Sequence, residues 1–250
     1  GKSTLLRMLN GLIEPTSGMV RFDGKNVGPN TWKVIRPRVA MVHQQFNLVP
    51  RLSVLKNVLS GTLPSISTLA AMLGLFPLGY KRRACTLLSE VGLGEKHLYR
   101  RAMQLSGGEQ QRVAIARAFI LAPELVLADE PVASLDPQTS RAILELLRRA
   151  SQQHGATVLC SLHQIELALE FADRIVGMSG GKIIFDGPPQ EFDAQAEHAI
   201  YVGNGDEEPH SPIPNSATPT GTAPTNTVPT ARAGEAGDAG GVSDGGANCD

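Results

Sequence analysis

With 250 residues, 42% of them hydrophobic and 19% charged, the chain is long enough for one domain with a full-sized core plus an appendage. A formal net charge of −1 excludes bulk electrostatic attraction to nucleic acid, which needs a concentrated basic face. No apolar run reaches the ~18 residues of a membrane-crossing helix, and Cys85, Cys160 and Cys249 are too far apart for zinc or redox spacing.

The first four residues, Gly1-Lys2-Ser3-Thr4, open a helical pattern whose apolar positions include Leu5, Leu6, Met8 and Leu9. Their chemistry is that of the end of a phosphate-binding loop. Lys2 offers a point charge, Ser3 a hydroxyl for Mg²⁺, and the helix N-terminus faces an anion. Four residues alone are a weak signal. Because the sequence starts in mid-motif, further residues are expected upstream of Gly1.

Downstream, RVAMVH (Arg38 to His43) reads as a strand and runs into HQQF. From about Ser53 to Ala118 no comparable strand pattern occurs, which predicts a helical lobe inserted into the sheet. Within it, LSGGEQQR begins a helix at Ser106, Gly107 and Gly108. Glycine is a poor helix former, but at a first turn a capping serine and bare glycine amides suit an anion.

LVLAD (Leu125 to Asp129) reads as a buried strand, and Glu130 follows as a second carboxylate. In an open α/β sheet ligands sit at the carboxyl ends of strands, so Asp129 fits a magnesium-holding role and Glu130 can polarise a water. The same pair could also simply open a turn before Pro131. Residues Gln138 to Gly155 place Ile143, Leu144, Leu147 and Ala150 on one helical stripe and stop at glycine. Further strands follow: Thr157 to His163, whose TVLC run suits a strand covered on both faces, then Arg174 to Met178 and Lys182 to Gly187. Alternating strands and helices mean an α/β fold with a mostly parallel sheet. Beyond Gly203 the chain is rich in Pro, Thr, Ala and Gly, so residues 204–250 read as a disordered tail.

The order GKST, HQQF, LSGGEQQR, LADEP, SLD and a strand ending in histidine resembles the ATP-binding cassette (ABC) ATPases across essentially residues 1–200. The resemblance implies a P-loop NTPase (RecA-like) core with an inserted helical subdomain at about 53–118, all within a domain of residues 1–203. It implies ATP held by Gly1, Lys2, Ser3, Thr4 and Gln44, with Mg²⁺ on Ser3, Asp129 and Gln44. Gln45 is the alternative register for Gln44, and His43 stands where the family often has an aromatic residue. Glu130, His163 and Gln44 would carry hydrolysis. Ser106, Gly107, Gly108 and Asp136 would reach the nucleotide of a second copy packed head to tail.

Such an ATPase implies a separate transmembrane permease, with Phe46 to Leu63 as the contact region, an indirect substrate-binding protein, no nucleic acid, and a peripheral place on the cytoplasmic face of the cell membrane. Three stretches, Gln44 to Leu63, Leu73 to Leu93 and Leu162 to Phe192, look like the phosphonate-import ATPase subunits. Importers of phosphate or polar amino acids are the rivals. ABC ATPases that act off the membrane usually have coiled-coil insertions or paired cassettes, absent from this sequence. A chain that docks on a permease without hydrolysing ATP is a third possibility.

Overall fold

A computed structural model describes residues 1–202; the expected tail lies outside the described residues. In chain order the elements are α1 (Lys2–Leu9), β1 (Val20–Phe22), β2 (Lys25–Val27), α2 (Trp32–Ile35) and β3 (Val39–Val42). Then come α3 (Val54–Leu59), α4 (Thr68–Met72), α5 (Leu78–Glu90), α6 (Glu95–Leu98) and α7 (Gly107–Phe119). The rest is β4 (Leu125–Asp129), α8 (Pro137–His154), β5 (Thr157–Ser161), α9 (Ile165–Phe171), β6 (Ile175–Ser179), β7 (Lys182–Gly187) and α10 (Ala194–Val202).

Three parallel strands in the order β3-β4-β5 form the sheet that positions the site. Side chains alternate across a strand, and the core divides accordingly. Val42, Val126 and Ala128 join a large apolar cluster, with Val158 and Cys160 packed against it. Val39 and Leu127 face a second, smaller cluster with Leu6 of α1 and Ile35 of α2. Helices therefore cover both faces of β4. β5 departs from the sequence expectation: it ends at Ser161 rather than His163, and Val158 to Cys160 are only half-buried. Among the described residues β5 pairs with β4 alone, so its other edge has no strand to cover it.

Between β3 and β4 the described chain contains helices and no strand, apart from one bridge between Ser53 and Arg101. Val54, Val58 and Leu59 of α3, Ala84, Leu87 and Leu88 of α5, and Ile115, Ala116 and Phe119 of α7 all enter the large cluster. The helical segment thus shares the apolar core of the sheet. α8 follows its sequence pattern closely. Asp136 caps it, Ile143, Leu144, Leu147 and Ala150 are buried, and Gly155 ends it at φ 65°.

Two small antiparallel pairs complete the fold. β6 and β7 pair through a Gly180-Gly181 turn with a register shift at Gly177/Met178. β1 and β2, absent from the sequence reading, pair through Asp23-Gly24, both at positive φ. That dipeptide is the strongest short hairpin signal available in sequence. Three-residue strands flanking it were too short to show alternation.

Candidate nucleotide site

The site is built where α1 begins and β4 and β5 end. Gly1 is the N-cap of α1 and has no side chain to occupy the free amides of its first turn. Lys2 and Ser3 are half-buried in that turn, with Thr4 exposed. Ser3 Oγ donates to Asp129 Oδ1 at 2.9 Å, joining the helix start to the end of β4. Asp129 is buried at 7% exposure. A hydroxyl and a carboxylate give an oxygen-only pair, which suits Mg²⁺, an ion that takes one or two protein oxygens and completes its shell with phosphates and water. The residues fit that ion.

Glu130 leaves the strand at φ 48°, a left-handed conformation that is uncommon for a residue other than glycine. Its backbone N–H donates to Ser161 Oγ at 3.0 Å, and the Ser161 hydroxyl donates to Asp129 Oδ1 at 3.0 Å. The Glu130 carboxylate lies 2.5 Å from His163 Nε2, whose N–H donates to Oε1. His163 itself is exposed, two residues beyond β5, and Glu130 is mostly covered. The structure therefore brings Ser3, Asp129, Glu130 and His163 together, with Ser161 as a fifth member that sequence reasoning missed. The sequence offered little signal, since β5 begins with Thr157, a second hydroxyl.

Gln44 and Gln45 are both exposed, just past the end of β3. Val42 pairs in register with Ala128, so this segment leaves the sheet beside Asp129. Nothing in the geometry separates the two glutamines. His43 is half-buried, and burial together with the positive charge of Arg117 pushes its imidazole below the ordinary value.

A second group of motif residues gathers at the start of α7. Ser106 is the N-cap: its Oγ accepts from Glu109 N–H at 3.3 Å, and its own N–H donates to Glu109 Oε2 at 2.8 Å. This reciprocal capping box holds the Glu109 carboxyl below its usual range, mainly through the Ser106 backbone bond. Gly108 has a packing reason as well as an electrostatic one, whereas a side chain at Gly107 would meet only ordinary contacts. A Cβ on Gly108 would lie 2.9 Å from Thr139 Cγ2, and one on Gly107 would lie 3.4 Å from Leu135 Cδ2 and 3.7 Å from Phe46 Cζ. Asp136 caps α8 by accepting from Thr139 N–H at 2.9 Å. Bonds from the Thr139 hydroxyl and then its amide keep the Asp136 carboxyl below its ordinary range.

Arg117, near the end of α7, also escaped the sequence reading. Its guanidinium donates to the carbonyls of Asn47 at 2.6 Å and Phe46 at 3.0 Å, tying the segment after Gln44 to the helix. An arginine amid the buried run of Val113 to Ile120 was the available signal. Among the described residues, no hydrogen bond or ion pair joins residues 106–108 to Lys2, Ser3, Asp129 or Glu130.

Residues 1–133 match the family model for the ABC transporter. The chain belongs to the ABC transporter family. It is 55% identical over 201 residues to the phosphonates import ATP-binding protein PhnC of Hydrogenovibrio crunogenus, covering 80% of this chain and 74% of that protein. The PhnC of Thiobacillus denitrificans is 52% identical over 211 residues, covering 83% and 80% of the two chains. Among solved structures, the dimeric post-hydrolysis state of the ATP-binding cassette MJ0796, bound to ADP and Pi, superposes with a TM-score of 0.64 at 33% identity, covering 77% of this chain and 82% of that one. CbiO1 from Clostridium perfringens, part of the ABC transporter complex cbiONQ, gives 0.67 at 28% identity, over 81% and 77%. The ABC cassette has the P-loop core with an inserted helical segment that its motifs imply, and it is an ATP-binding, ATP-hydrolysing module.

Proposed function

We propose that this chain is the ATP-hydrolysing subunit of an importer for phosphonates, working with a separate membrane permease. The reading of the cargo rests on the relatives named as phosphonates import proteins. The reading of the chemistry rests on one observation: a hydroxyl at a helix start, two consecutive carboxylates and a histidine linked by hydrogen bonds, through Ser161, at the carboxyl ends of β4 and β5.

Lys2 and the amides of Gly1 to Thr4 receive the β- and γ-phosphates of ATP. Ser3 and Asp129, with Gln44 from the segment after β3, would hold Mg²⁺, which when bound would supply positive charge beside the phosphates. Glu130 orients the attacking water through its carboxylate. His163 fixes that carboxylate through Oε1, leaving Oε2 to face the water. Phosphoryl transfer needs little covalent help from a protein, so positioning of this kind is the main contribution.

Ser106, Gly107, Gly108 and Asp136 serve a different nucleotide, held by a second copy. That no hydrogen bond or ion pair joins residues 106–108 to the Ser3–Asp129 group among the described residues agrees with this reading, as does the dimeric state of the MJ0796 cassette. Two copies closing on two nucleotides and parting after hydrolysis would drive the permease, with Phe46 to Leu63 facing it. Among the described residues no helix is long and apolar enough to cross a membrane. Peripheral attachment at the cytoplasmic face, through the permease, agrees with that; a substrate-binding protein would deliver the cargo from the other side.

The test is uptake by the reconstituted full-length transporter. Alkylphosphonate should be carried in preference to phosphate, and Glu130→Gln should stop both uptake and turnover, lowering kcat by about 100-fold or more while ATP still binds. Preference for phosphate would reject the cargo assignment. Near-normal turnover in the Glu130→Gln transporter would reject the catalytic one.

A further inference from the structure

We propose that Ser161 is a positioning residue for hydrolysis, acting through Glu130 and Asp129 rather than on the nucleotide. The proposal rests on the reading of Glu130 as the residue that orients water. Ser161 ends β5 and is buried at 7% exposure. A hydroxyl has one proton and two lone pairs, and both functions are committed here. The proton goes to Asp129 Oδ1 at 3.0 Å, and a lone pair accepts the Glu130 N–H at 3.0 Å. The result is a directed chain from the Glu130 amide through Ser161 to Asp129, whose same Oδ1 also accepts from Ser3 at 2.9 Å.

The geometry gives this chain a specific task. Glu130 sits at φ 48°, a conformation that a residue with a Cβ adopts only where its surroundings impose it. The bond to its amide is a direct restraint on that turn. The turn in turn decides where the carboxylate emerges to meet His163. Alanine at position 161 would leave the Glu130 N–H in a covered site without its acceptor and would remove one of the two donors on Asp129 Oδ1. Outer partners of this kind typically cost 10- to 100-fold in activity when removed, because the groups they orient lose their aim.

Three variants of the full-length protein decide the matter: Ser161→Ala, Glu130→Gln and the double variant. Ser161→Ala should lower kcat by about 10- to 100-fold while ATP affinity measured without Mg²⁺ stays near that of the parent and the melting temperature falls by only a few degrees, the cost of the buried hydrogen bonds it removes. In the Glu130→Gln background, Ser161→Ala should cost several-fold less than it does in the parent, because the part of its effect that runs through Glu130 is already lost and only the part through Asp129 remains. An inactive Glu130→Gln protein beside a Ser161→Ala protein with parental kcat would overturn the proposal. So would additive losses in the double variant, or a loss of ATP affinity and melting temperature that matches the loss of kcat. Normal turnover in Glu130→Gln would instead sink the reading of Glu130 itself.

Discussion

Gly108 shows how one position can satisfy two demands. At the second residue of α7 it leaves backbone amides bare, and a Cβ there would come within 2.9 Å of Thr139 Cγ2 at the start of α8. Gly108→Ala should therefore destabilise the fold by about 1 kcal/mol, the low end of overpacking costs, since better helix propensity offsets part of the clash. Thr139→Ser removes the offending methyl and keeps the hydroxyl beside Asp136, so the double variant should recover most of the loss in urea unfolding. If Gly108→Ala is neutral with Thr139 intact, the contact has no energetic weight. The sequence displayed the glycine and the need for an explanation, but not Thr139, which lies 31 positions away. Ser161 was hidden for the same reason. A serine in a strand run is silent until Asp129 and the Glu130 amide are seen on either side of it.

At the scale of elements, legibility followed amphipathicity. α8 was readable because its buried stripe recurs at helical spacing and it stops at Gly155, while Asp136 as its cap appears only in the structure. β4 was readable as a continuous apolar run. β1 and β2 were not, since three residues give a period of two no room to show. The tie between α7 and the segment after Gln44 was equally invisible, because its acceptors are main-chain carbonyls, which every residue has. Arg117 should nonetheless be measurable. Arg117→Ala should raise hydrogen exchange at residues 46–48 several-fold while the middle of α7 stays protected. Lysine should restore little, as a single ammonium cannot reproduce a planar fork reaching two carbonyls. Unchanged exchange in the alanine variant would show that the loop is held by other contacts.

For the whole molecule, the proposed sharing of each nucleotide between two copies has a kinetic signature. If Ser106 to Gly108 complete the nucleotide site of another copy, specific ATPase activity of the full-length protein must fall on dilution and recover with concentration. Constant specific activity down to concentrations at which the protein sediments as a monomer would exclude that arrangement. Family, fold and the ordered motifs were all legible because their spacing is fixed by chemistry. What joins them was not, since it depends on which strand neighbours which. α1 against the end of β4 brings Ser3 to Asp129, and β5 beside β4 brings His163 to Glu130.

Arg38 has a role of its own at the far end of the sheet. Its guanidinium grips both oxygens of Glu124, reaches Asp23 and lies 4.6 Å above the ring of Phe22. These residues cluster at the start of β3, just ahead of β4 and around the β1–β2 turn, roughly one strand length, about 15 Å, from Asp129. The far end is thus held by partly exposed charges, while the reactive rim is fastened by a buried hydroxyl and a single imidazole. Added salt should therefore loosen the base of the sheet before it disturbs the rim, because screening reaches solvent-facing ion pairs and spares covered hydrogen bonds.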